Sequence, residues 1–155
     1  MKRTNLILAA ALIAALSLTA AALANQPSPA AHTTRAAMVS QRQTSLGRIL
    51  VSSSGRTLYE FTRDHASSSA CASISGCSET WPALQSSGKP LAGAGVHASE
   101  LSTIKLPGGG RQVTYAGHPL YLYSGDSGPG ETSYVGVRQF GGSWYALSTS
   151  ARAVK

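Results

Sequence analysis

Apolar and polar positions in this chain alternate with a period of two over several short runs, and a helical period is largely missing. In Thr57-Leu58-Tyr59-Glu60-Phe61-Thr62 the alternation puts Tyr59 and Phe61 on one face of a strand and Leu58, Glu60 and Thr62 on the other. In His118-Pro119-Leu120-Tyr121-Leu122-Tyr123 the tyrosines oppose Leu120 and Leu122, so both faces are apolar and the strand is expected to be covered on both sides. Ile49-Leu50-Val51, the turn-rich Ser52-Ser53-Ser54-Gly55 and the run from Thr57 to Phe61 predict a hairpin. Arg111 to Tyr115, a tight Ala116-Gly117 turn and His118 to Tyr123 predict a second. Thr103 to Leu106 predicts a strand ended by Pro107-Gly108-Gly109-Gly110, and Phe140 to Leu147, broken by Gly141-Gly142, predicts a last hairpin. Pro119 has no N–H to give to a ladder, so it is expected at a strand start or an unpaired position, with Thr57 in the corresponding place. Helix is confined to short turns near Ser78 to Leu84 and Ala98 to Leu101.

Before these strands the pattern changes character. Lys2 and Arg3, the apolar run Leu6 to Leu16 and the ending Ala22-Leu23-Ala24 make up a signal peptide over 1–24, with cleavage expected after Ala24. An uncleaved anchor is the alternative, because the apolar region approaches the ~20 residues that span a bilayer. No Cys stands near the cleavage site, so none is available there for lipid attachment. Residues 25–44 hold Pro27, Pro29 and no aromatic side chain, which predicts a flexible tether. The folded part is expected over 45–148, with 149–155 as a polar, basic tail.

Within that part the sequence repeats. Gly55-Arg56-Thr57-Leu58-Tyr59-Glu60-Phe61-Thr62-Arg63-Asp64 aligns with Gly117-His118-Pro119-Leu120-Tyr121-Leu122-Tyr123-Ser124-Gly125-Asp126 at an offset of 62, and Trp81 and Trp144 follow the two Asp residues at nearly equal distances. Two related halves, about 45–90 and 100–148, are implied. The expected fold is all-β: two pseudo-symmetric antiparallel hairpin repeats forming a small sandwich or barrel-like domain.

The tandem Tyr-x4-Asp motifs, Tyr59, Phe61, Asp64 and Tyr121, Tyr123, Asp126, carry a resemblance. So do Leu46-Gly47-Arg48-Ile49-Leu50-Val51, the Cys71 and Cys77 pair followed by Trp81-Pro82-Ala83-Leu84, and Pro129-Gly130-Glu131-Thr132. Together they resemble the bacterial family of secreted repeats of unknown function, many of whose members are predicted lipoproteins. The resemblance spans Leu46 to about Leu147 and implies an exported envelope protein built from paired repeats. It implies no activity.

Charge and chemistry refine this picture modestly. The chain has 13 Lys and Arg against 6 Asp and Glu; without Lys2 and Arg3 the formal charge falls from +7 to +5. The remaining cations are scattered singly along the sequence, so solubility and loose attraction to anionic envelope surfaces are expected, and nucleic-acid binding is not. Cys71 and Cys77 belong to an exported chain, and a disulfide is expected, with a redox-active pair as the alternative. Asp64 and Asp126 end their strands and are expected to fix turns; the alternative is a cation site or acid/base pair made by both carboxylates. His65, His97 and His118 are candidate metal ligands without a recognisable spacing, and His32 falls in the tether. Gly125-Asp126-Ser127-Gly128 resembles the segment around a serine-protease nucleophile, but the folded part is too short for that scaffold.

The aromatic set is expected in the core, with an exposed ligand platform of Trp81, Trp144 and His118 as the alternative. No catalytic residue, cofactor or metal is assigned. The expected role is a periplasmic or secreted, non-enzymatic binding or structural module. Its expected partner is an envelope component or small ligand, with no stable membrane insertion after cleavage. A metal-binding or redox-associated protein using Asp64, His65, His118 or Asp126 is the second reading, and a hydrolase using Ser127 the third.

Overall fold

A computed structural model of the chain describes residues 35–66 and 68–155. The signal peptide, its cleavage site and His32 lie outside the described residues. Among the described residues ten short strands dominate: β1 (Met38–Thr44), β2 (Gly47–Ser52), β3 (Tyr59–Phe61), β4 (Leu91–Ala92), β5 (Leu101–Lys105), β6 (Arg111–Tyr115), β7 (His118–Pro119), β8 (Arg138–Gln139), β9 (Gly142–Leu147) and β10 (Ala153–Val154). Helix among them is limited to one turn of α-helix, α1 (Cys77–Thr80), and two 3-10 turns at Cys71–Ser73 and Ala98–Glu100. Cys77–Thr80 and Ala98–Glu100 fall close to the two short helical turns expected from the sequence, and the turn at Cys71–Ser73 is additional. The strands form open sheets, ordered β2-β1-β4, β10-β9-β3 with β8 also on β9, and β5-β6-β7. The fold is all-β with two repeats, and its sheets do not close into a barrel.

The predicted turns form where the chain can take positive φ at two successive residues, the requirement of the tightest hairpins. Ala116 and Gly117 have φ of 47° and 84° and join β6 to β7, while Phe140 and Gly141 have φ of 56° and 80° and join β8 to β9. Pro119 sits at the end of two-residue β7, opposite Thr114. The first hairpin forms only at its root. Leu58 donates its N–H to the Leu50 carbonyl at 3.0 Å, but β3 then leaves β2 and pairs along its length with β9 of the second repeat.

That departure is one half of a symmetric exchange. Tyr59 and Tyr121, repeat counterparts, donate their backbone N–H groups to each other's carbonyls, both at 2.9 Å. A pseudo-two-fold axis therefore passes between them. Around it, Tyr59 pairs with Ala146 as Tyr121 pairs with Ala83, and Ile49 pairs with Ser148 as Gln112 pairs with Gln85. Leu147 donates to the Leu58 carbonyl, and Leu84 donates to that of Leu120. Each repeat thus completes its ladder with strands of the other.

The alternation read from the sequence sorts the core. Leu58 and Leu120 enter an aliphatic cluster with Leu50, Val113, Leu84 and Leu147, again as repeat pairs. Tyr59, Phe61 and Tyr121 enter an aromatic cluster on the other side, with Trp81, Trp144 and the two cysteines.

Two boundaries differ from the sequence expectation. Residues 38–44, expected as tether, are strand β1, paired antiparallel with β2 from Val39↔Ser52 to Thr44↔Gly47 and parallel with β4. Val39 is fully buried. Past Val39 the strand is polar, and its order comes from backbone bonds that leave no trace in side-chain pattern. The expected polar tail also folds back: Ala153 and Val154 of β10 pair with Leu147 and Ala146.

Candidate functional site

Trp81 and Trp144 stack face to face on the pseudo-axis, 4.0 Å between ring centroids and 2° from parallel. Phe61 extends the stack beyond Trp144 at 4.1 Å, and its counterpart Tyr123 covers Trp81 at 4.7 Å with a 47° tilt. Tyr59 meets Trp81 edge-on, and Tyr121 meets Trp144 edge-on, each at 5.1 Å. The T-shaped contacts are a favourable geometry of aromatic quadrupoles. Both tryptophans are fully buried. The exposed platform considered for Trp81, Trp144 and His118 is therefore not formed, because the indole faces are spent on each other and only His118 reaches solvent.

The Tyr-x4-Asp motifs meet across the repeats. The Tyr59 hydroxyl donates to Asp126 Oδ2 at 3.2 Å, with the Glu131 carbonyl also near at 3.4 Å. Burial and then the Asp126 charge push the Tyr59 phenol far above its ordinary range. In the mirror position Tyr121 lies beside Asp64, and its hydroxyl bonds Ser69 at 2.8 Å. Asp64 Oδ1 accepts the Ala70 N–H at 2.8 Å, as a turn-fixing carboxylate does, while Oδ2 is buried with no partner among the described residues. Burial raises both carboxylic acids to about 6, against the pull of the neighbouring phenols.

The pseudo-symmetry fails at the flanks of the two motifs. Arg56 stands beside Asp126, donating to the Tyr123 carbonyl. Its counterpart His118 instead places Nδ1 2.6 Å from Glu60 Oε2. Burial holds the Glu60 carboxyl above its usual range despite the imidazole. Glu60, Asp64, His65 and His118 line a cavity of about 130 Å³ beside the β6–β7 turn. Nothing in the sequence marks Glu60, which shares a face with Leu58 and Thr62; the strand pairing across the repeats carries it to His118.

The remaining candidates separate. His97 lines a different cavity, with Glu100 and Tyr115. Among the described residues no three His, Cys, Asp or Glu side chains gather where they could hold a metal ion. Cys71 and Cys77 form a disulfide and are fully buried, with a Cα–Cα distance of 5.3 Å. The Ser127 hydroxyl donates to Glu131 Oε1 at 2.8 Å, and its N–H donates to Oε2, which holds the Glu131 carboxyl below its usual range. No helix among the described residues is long and apolar enough to cross a membrane.

Comparison with known families agrees with the repeat seen in the fold. A family model described as a secreted repeat of unknown function matches twice, at residues 40–85 and 102–148. Both matches begin within a hairpin, at β1 and β5, and the first takes in residues 40–44 of β1. Searches of curated proteins and of solved structures each returned no match.

Proposed function

Because the chain belongs to the family of secreted repeats of unknown function, we propose that it is an exported cell-envelope protein acting as a non-enzymatic binding or structural module. One observation carries the reading: the motif residues are used up in joining the repeats. Tyr59, Tyr121, Trp81 and Trp144 are at most 1% exposed, and the two Asp residues serve the tyrosines and a turn. Such residues fix a frame, and the frame leaves its loops and hairpin tips to meet a partner. The disulfide suits an oxidising compartment outside the cytoplasm.

Sedimentation of the purified protein with isolated cell envelopes tests the binding reading, alongside treatment with a serine-reactive probe. Saturable co-sedimentation with no label at Ser127 is expected. Absence of any association with envelopes overturns the binding role, and labelling of Ser127 in folded protein overturns the non-enzymatic one.

A further inference from the structure

The cations that lie apart in the sequence are brought together by the fold at the tip of the β5–β6 hairpin. Lys105 and Arg111 stand directly opposite each other across the two strands. Facing residues of an antiparallel pair put their side chains on one face, and like charges so placed are destabilising. Arg111 is held in place, its Nε donating to Thr103 Oγ1 at 2.7 Å, a bond that does not use the terminal nitrogens of the guanidinium. The loop between Ser86 and β4 then brings in Lys89. Lys89, Arg111, Ser87, Ser102 and Thr103 line one open groove of about 520 Å³ that has no carboxylate among its lining residues. All three cations are exposed. Among the described residues the salt-bridge contact formed is His118 with Glu60, and none of the three cations has a carboxylate partner there.

The first repeat also carries exposed cations near a hairpin tip: Arg42 and Arg48 lie at adjacent register positions of β1 and β2, so their side chains leave opposite faces. A cationic hairpin tip in each repeat suits a partner whose charge is itself repeated along a chain, because a second contact to the same chain adds avidity without new chemistry.

We propose that the groove between the Ser87–Pro90 loop and the β5–β6 hairpin binds a phosphodiester-linked anionic polymer of the cell envelope. Lys89 and Arg111 supply the charge within the groove, with Lys105 opposite Arg111 at the hairpin tip, and the hydroxyls of Ser87, Ser102 and Thr103 donate to phosphate oxygens. Arg111 contributes a planar fork suited to two oxygens of one phosphate. The proposal rests on the binding-module reading above and names its partner class.

The test uses the purified full-length protein with poly(glycerol phosphate), with inorganic phosphate and with phosphatidylglycerol vesicles as separate probes. Poly(glycerol phosphate) is expected to bind, with affinity falling as ionic strength rises. The double variant Lys89→Gln/Arg111→Gln is expected to lose about thirtyfold, at roughly 1 kcal/mol for each cation facing an anionic surface. Arg138→Gln/Arg152→Gln removes the same charge elsewhere and is expected to keep most of the affinity. Equal weakening by both double variants overturns the groove assignment in favour of diffuse charge. Vesicles bound as tightly as the polymer overturn the choice of partner, and inorganic phosphate bound as tightly overturns the need for a chain. Protein that sediments with envelopes yet ignores poly(glycerol phosphate) removes this proposal and leaves the module reading standing; failure in both assays removes both.

Discussion

At the scale of single residues, Asp64 and Asp126 occupy counterpart positions and do related but unequal work. Asp126 accepts the hydroxyl of a fully buried tyrosine, and Asp64 ties a turn through the Ala70 N–H. Replacing Asp126 by Ala leaves the Tyr59 hydroxyl with only the distant Glu131 carbonyl, so Asp126→Ala is expected to destabilise by about 1–3 kcal/mol in urea unfolding. Asp126→Asn keeps an acceptor and is expected to cost far less. Both carboxylic acids have folded pKa values of about 6, above the ordinary 3.8. Between those values the native state holds protons that the unfolded chain has released, so stability falls as pH rises from about 4 through about 6. The melting temperature is expected to be higher near pH 4.5 than near pH 7.5, and Asp64→Asn/Asp126→Asn should flatten that slope. Glu131, pulled below its usual range by Ser127, contributes the opposite sign at lower pH. A melting temperature that climbs from pH 4.5 to 7.5 would contradict the burial of the two acids.

At the scale of elements, the strand faces were legible because alternation is a local property. Leu58 and Leu120 go to one cluster and Tyr59, Phe61 and Tyr121 to the other, as the period of two requires. Pairing partners were not legible. Nothing local in Tyr59-Glu60-Phe61 says that its ladder lies with Ser143 to Ala146 and not with the preceding strand, because backbone hydrogen bonds do not depend on side-chain identity. The same blindness hid β1 and β10 and left the exposure of the tryptophans open. One close approach does depend on identity. A Cβ on Gly142 would stand 2.5 Å from Phe61 Cε2, inside the ring stack. Gly142→Ala is therefore expected to destabilise by about 1–3 kcal/mol through overpacking, read from the shift in urea midpoint. The Cys71–Cys77 staple closes a short loop beneath Trp81, and Cys71→Ser/Cys77→Ser is expected to lose about 2 kcal/mol or more. Unchanged midpoints in both would mean that neither element supports the aromatic stack.

At the scale of the whole molecule, the duplication legible in the sequence produced one interleaved unit, and the way its two halves join was not legible there. The reciprocal bonds between Tyr59 and Tyr121, the stacked tryptophans and the aliphatic repeat pairs all straddle the same axis. Neither repeat can complete its ladder or bury its aromatic face alone. A frame assembled in this way keeps its motif residues inside and leaves the cavity beside Glu60 and His118 and the groove beside Arg111 for the binding role proposed above. Separate expression of residues 35–92 and 93–155 tests this interleaving most directly, with far-UV circular dichroism and tryptophan fluorescence followed through urea unfolding. The account predicts that neither fragment folds alone, while the full-length chain shows a single transition with coincident midpoints for the two probes. A fragment that unfolds cooperatively by itself, or two separate transitions in the full-length chain, would contradict it.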